Sequence, residues 1–165
     1  MGLPTASGMS RAHLCVFSTV AEQLPDKPNP ARTYGERAHA LIASRLMGWD
    51  PPDIGRSQIN PDMEALKAYL GAGELRCELA FAYDPQKRTT EVKGMNLGRD
   101  YGAEKSIPYL LYGSADIVVI RDHALVFDIK TGRHRAEPVA VNKQLQTLAV
   151  MLAHAYQVKS VKASL

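Results

Sequence analysis

Ala38, Leu41, Ile42 and Leu46 recur at three- and four-residue spacing, which predicts a helix from Tyr34 with a single apolar stripe. Thr33 is the expected N-cap, with Glu36 three residues on in capping-box position. Gly48 and Pro51-Pro52 stop the helix. Upstream, Ala12 to Gln23 reads as a short helix, and Leu24 to Ala31 as a loop because it carries three prolines. Pro61 to Leu70 reads as another short helix, with proline at its start and Gly71 just past its end.

Beyond Gly73 the period changes. Leu75, Cys77, Leu79 and Phe81 alternate with more polar residues, so Glu74 to Tyr83 predicts a strand with those four on one side. Residues 84–113 are polar and hold Tyr101, Tyr109 and Tyr112. A connection that long is unusual in a small domain. Two readings stand for it: a short strand at Thr89 to Lys93, or a functional flap. Ala115 to Arg121 and Ala124 to Lys130 are rich in β-branched residues and flank Asp122-His123, which predicts an antiparallel hairpin. A basic loop follows. Pro138 then opens a helix with Val141, Leu145, Leu148, Leu152 and Ala155 as its buried stripe. Val158 to Val161 is the expected last strand. The elements together predict one α/β domain over residues 1–165: an N-terminal helix and loop over 1–33, and a core over 34–165. In that core a small mixed sheet has the hairpin at its centre and helices packed against it.

Composition narrows the classes. The chain has 165 residues, 45% apolar and 22% charged, which fits one compact domain and excludes a disordered tail. The longest unbroken apolar run, Leu148 to Ala153, is far short of the ~18 residues that a spanning helix needs. Two cysteines, Cys15 and Cys77, make neither a disulfide scaffold nor an iron–sulfur ligand set, and both read as inert buried thiols. Met1 to Arg11 shows no secretory signal, which sets a reducing cytoplasm as the expectation. A net charge of +3 permits nucleic-acid contact without arguing for it.

The chemistry lies in the hairpin. Asp116 and Asp128 sit among β-branched and aromatic neighbours, where a carboxylate is costly unless it is paired or binds a metal. Lys130, two residues after Asp128, leaves the strand on the same face, while Ile129 points into the core. Loop length decides whether the two aspartates meet. A two-residue loop at Asp122-His123 sets Asp116 opposite Ile129, facing away from Asp128. An odd-length loop or a bulge sets it toward Asp128 or Lys130, because a slip of one residue flips every side chain. The expectation is an odd-length loop or a bulge. Two carboxylates so placed suit Mg²⁺ or Mn²⁺, which makes a bound water a nucleophile for phosphodiester hydrolysis. The lysine steers that water or offsets charge on the phosphate.

Gly113-Ser-Ala-Asp116, eleven residues, Asp128-Ile-Lys130-Thr-Gly132 and then Gln144-Leu145 form an ordered set that resembles the PD-(D/E)XK nuclease superfamily. The set is most similar to the RecB-like, phage-associated exonuclease branch. The upstream Gly35-Glu-Arg-Ala-His39 resembles that branch's helical motif, and Glu78 stands where many members carry a glutamate. The resemblance implies a restriction-endonuclease-like core. It implies Asp116, Asp128, His39 and the Ile129 carbonyl as metal ligands, a catalytic Lys130, and a Gln144 that orients the site or contacts DNA. It implies a Mg²⁺- or Mn²⁺-dependent deoxyribonuclease, an exonuclease by preference. Its setting would be DNA repair, recombination or phage replication, with DNA as partner and a separate helicase or recombinase as a further one. The chain has Leu148 where the family often has tyrosine.

Bland readings stand beside these. Glu78 is either part of the site or the partner of a nearby basic residue. Arg133 and Arg135 hold a DNA phosphate or lie on a solvated loop. Tyr101, Tyr109, Tyr112 and Trp49 stack on unpaired bases or form partial core. The competing function is a catalytically silent nucleic-acid-binding protein on the same fold.

Overall fold

The computed structural model describes residues 5–9, 30–53, 61–97, 101, 110–131 and 137–165. The expected helix at Ala12 to Gln23 and the basic residues Arg133 and Arg135 lie outside them. Helix α1 runs over Pro30–Met47 and α2 over Met63–Leu70. Then come β1 (Glu74–Asp84), β2 (Thr89–Met95), β3 (Leu111–Ile120), β4 (Ala124–Phe127), α3 (Lys143–Tyr156) and β5 (Val161–Ser164). The strands form one mixed sheet in the order β2-β1-β3-β4-β5, antiparallel except for the parallel β4–β5 pair. The architecture is mixed α/β, with helices on both faces of the sheet. Among the described residues no helix is long and apolar enough to cross a membrane.

Helix boundaries differ from the sequence reading where two start signals compete. Helix α1 begins at Pro30, so Thr33 lies inside it and is not its cap. Proline is pre-organised for a first helical turn and has no N–H to leave unpaired. Glu36, freed from a capping box, pairs with Arg32 one turn back at 2.7 Å. Asp62 caps α2 by accepting from the Ala65 N–H at 3.0 Å, and Gly71 ends it with φ 66. Helix α3 starts five residues later than Pro138, because Asn142 accepts from the Leu145 N–H and Pro138 to Val141 forms a separate turn. Val141 therefore stays exposed, and the buried stripe is Leu145, Leu148, Met151 and Leu152. The last strand falls at Val161–Ser164, not Val158 to Val161.

Two apolar layers sandwich the sheet. One packs Leu79, Phe81, Ala115, Val118 and Val126 under Leu145, Leu148, Met151 and Leu152 of α3. The other packs Cys77, Ile117, Val119 and Leu125 under Ile42, Ala43 and Leu70 of α1 and α2. The expected single-sided set Leu75, Cys77, Leu79 and Phe81 is thus split between the two layers. The break falls at Glu78, whose backbone is left-handed with φ 50. A left-handed residue reverses the strand's alternation, so Cys77 and Leu79 on either side of it bury on opposite faces. The same parity break recurs on β3 between Ala115 and Ile117, at Asp116.

Leu148 is fully buried because α3 lies close on β3. A Cβ on Gly113 would sit 3.1 Å from Leu148 Cδ2 and 3.2 Å from Met151 Sδ. The segment read as strand or flap contains a strand, β2, paired along β1 from Asp84 to Leu79. Tyr101 and Tyr112 are core: both are buried, with ring centroids 5.5 Å apart.

Candidate metal centre

The hairpin loop has three residues. Ile117 pairs with Phe127 and Ile120 with Ala124, leaving Arg121, Asp122 and His123 between the strands. Continuing that register sets Asp116 opposite Asp128. The second strand is shorter than expected and ends at Phe127, because the Ile129 N–H donates to Asp116 Oδ2 at 2.6 Å. The Asp128 N–H turns the other way and donates to the Ser164 carbonyl at 3.0 Å, which continues the ladder to β5. The two residues before Lys130 are therefore held through their backbone N–H groups, and the acidic end of the hairpin is fixed from two sides.

Helix α1 brings His39 to the same place. Its Nε2 lies 3.0 Å from the Ile129 carbonyl oxygen. Its Nδ1 lies 3.2 Å from Asp116 Oδ1 and 3.9 Å from Glu78 Oε1. When Nε2 donates to the carbonyl, Nδ1 presents a lone pair to two carboxyl groups. That arrangement is stable only with a proton or a cation between them. His39, Glu78 and Asp116 each offer one ligand atom, all within 4.8 Å of one another.

The electrostatics follow from crowding. Burial pushes the Glu78 carboxyl up to about 7, helped by the charge on Asp116 and opposed by His39. Burial alone disfavours protonation of His39. The hydrogen bond and charge of Asp116, with Glu78 and Asp128 behind, outweigh it and leave His39 raised. Asp128 is raised by burial and by Asp116, against the pull of Lys130. Cys77, beside Glu78, is pushed up to about 12 by burial and by the two carboxylates, which leaves it an inert thiol as expected.

Asp128 is not in the ligand group. Its Oδ1 accepts from Gln144 Nε2 at 3.1 Å, and its Oδ2 meets Lys130 Nζ at 2.5 Å. Lys130 Nζ also donates to Gln144 Oε1 at 3.4 Å. The sequence reading paired Asp116 with Asp128. The side chains sort instead into His39–Glu78–Asp116 and Asp128–Lys130–Gln144, joined through the backbone of Ile129. Lys130 is the more open member of the second set, with 39% of its side chain exposed against 3% for Asp128. The Ile129 carbonyl serves His39 here.

The residues fit a divalent cation on one observation in particular. Glu78 Oε1 is buried and has no hydrogen-bond partner among the described residues. A carboxyl oxygen left in that state is costly, and it faces the imidazole nitrogen and the Asp116 carboxylate. Oxygen donors suit Mg²⁺ and Mn²⁺, and the imidazole tilts the set toward Mn²⁺. Sequence reasoning had no view of the left-handed backbone of Glu78 or of the approach of Thr131 to Gly35. A glutamate in an alternating strand gives no sign that its φ is positive.

Comparison of the chain with protein-family models, with curated proteins and with solved structures finds no match.

Proposed function

We propose that the chain is a Mg²⁺- or Mn²⁺-dependent nuclease with a restriction-endonuclease-like core, akin to the RecB-like branch of the PD-(D/E)XK superfamily. On this reading it hydrolyses phosphodiester bonds in DNA, as an exonuclease serving repair, recombination or phage replication. The observation that carries the reading is the convergence of two residue sets at one end of the hairpin. His39, Glu78 and Asp116 offer ligand atoms within 4.8 Å. Asp128 and Gln144 hold the Lys130 ammonium beside them.

A cation bound by the first set supplies Lewis-acid chemistry, which acidifies water and withdraws charge from a phosphate. The remaining roles belong to the chain. Asp128 and Gln144 restrict Lys130 to one position, so its ammonium offsets charge gathering on the phosphate without reorganising. The hydrogen bond from His39 to the Ile129 carbonyl fixes the ring and its tautomer. The Ile129 N–H fixes one oxygen of Asp116 and leaves the other toward His39.

The test is cleavage of end-labelled linear and closed circular DNA, single- and double-stranded, with Mg²⁺, Mn²⁺ or chelator. Metal-dependent cutting is expected, with loss of ~100-fold or more in Lys130→Ala. Linear DNA should be consumed and closed circles spared. No cutting by the parent chain on any substrate, with metal bound, overturns the enzyme reading in favour of the silent nucleic-acid-binding protein.

A further inference from the structure

Gly35 lies in the interior of α1, where glycine is destabilising relative to alanine. Neither a turn nor a positive φ calls for it, since the helix runs on through Met47. What stands over it is Thr131: a Cβ added to Gly35 would lie 3.0 Å from Thr131 Oγ1. One turn further along the helix, His39 Nε2 meets the Ile129 carbonyl at 3.0 Å. Helix α1 is therefore docked on the segment after β4 at two points. Gly35 lies against Thr131 and His39 against Ile129, and both contacts are one helical turn or two residues apart along their own chains. Lifting the helix at the first point tilts it at the second.

The geometry points to Gly35 as a positioning residue, whose missing side chain lets α1 close on Thr131 and so sets the His39 imidazole between the Ile129 carbonyl and the Glu78–Asp116 carboxyls. The assignment rests on the reading of that cluster as a metal centre, but its first readout does not need a metal. Gly35→Ala keeps the helix and improves its intrinsic propensity. A glycine of no consequence therefore predicts a fold at least as stable and a site unchanged.

The experiment compares the parent chain, Gly35→Ala, Thr131→Ala and the double variant. In the metal-free protein, the His39 ring N–H held by the Ile129 carbonyl is followed by NMR. Titration with Mn²⁺ alone follows by calorimetry. The expected result is a lost or shifted His39 ring signal in Gly35→Ala, without loss of melting temperature. Mn²⁺ affinity should weaken about 10-fold, the scale of a displaced ligand support. The double variant should restore the signal, and an affinity within about 3-fold of Thr131→Ala, because the hydroxyl that meets the new methyl is gone. An unchanged ring signal and affinity in Gly35→Ala overturns the proposal. So does a loss that Thr131→Ala fails to rescue. If the ring signal behaves as expected and the parent chain binds no Mn²⁺, the docking stands and the metal reading falls.

Discussion

At Glu78 the backbone is left-handed, the carboxyl is buried, and one of its oxygens has no hydrogen-bond partner among the described residues. A positive φ outside glycine costs about 1–2 kcal/mol, and the protonation shift shows what the carboxyl adds. Folded Glu78 binds its proton more tightly than the unfolded chain does, from the ordinary 4.5 up to about 7. Its contribution to stability is full below the lower value and is lost as pH rises through the upper one. His39 and Asp128 are raised too, so each loses its contribution in the same direction. The metal-free chain is therefore expected to be more stable near about pH 5 than about pH 8. In Glu78→Gln, the variant at about pH 8 should exceed the parent by roughly 1–3 kcal/mol. Urea midpoints at the two pH values check this, and coincident midpoints at the higher pH would refute it. Mn²⁺ should reverse the trend in the parent, because the cation binds only the deprotonated ligands. The sequence marked Glu78 as ambiguous, since a single strand's alternation carries no record of its neighbours' charges.

The elements were legible in proportion to how local their causes are. The hairpin was read with an odd loop or a bulge, and the loop is odd, because period-two patterning and the location of Asp116 and Asp128 constrain each other. Phe127 as the end of β4 was not, since it depends on Asp116 capturing the Ile129 N–H from a neighbouring strand. Helix starts were misread at Thr33 and Pro138 because several residues compete to cap, and only the packed structure selects among them. Asn142 won at α3, and Gln144 lies two residues inside that start. Asn142→Ala should cost about 1 kcal/mol, within the range for lost caps. Because Gln144 holds both Asp128 and Lys130, it should also loosen the site. Denaturant unfolding together with Mn²⁺-dependent cleavage at matched folded fraction separates the two effects. A stability loss with unchanged cleavage shows that the cap serves the helix alone.

Across the whole molecule, the site draws on α1, β1, β3, the end of β4 and α3, from His39 to Gln144. It lies where the parity of β1 and β3 breaks, so the same irregularity that splits the apolar residues between two layers leaves polar groups at the sheet's level. A cation bound only by the folded form stabilises it by about 2.7 kcal/mol at a hundred times its dissociation constant. Thermal melts should therefore rise with Mn²⁺, return with chelator, and show no shift in Asp116→Asn. A rise in that variant equal to the parent's would place the ion elsewhere. No local pattern reveals that Asp128 turns to Lys130 and Gln144, because that depends on Gln144 arriving on α3.

The bond from the Asp128 N–H to the Ser164 carbonyl has a bearing on biosynthesis. Strand β5 follows α3 in chain order, so it is the last piece of the sheet to leave a ribosome. Until it pairs with β4, the backbone beside the Asp128–Lys130 segment is unanchored on that side. A polypeptide that stops just short of Val161 carries every acidic residue of the centre and still lacks the strand that anchors Asp128. On the nuclease reading, the centre is fully framed only once β5 has paired with β4.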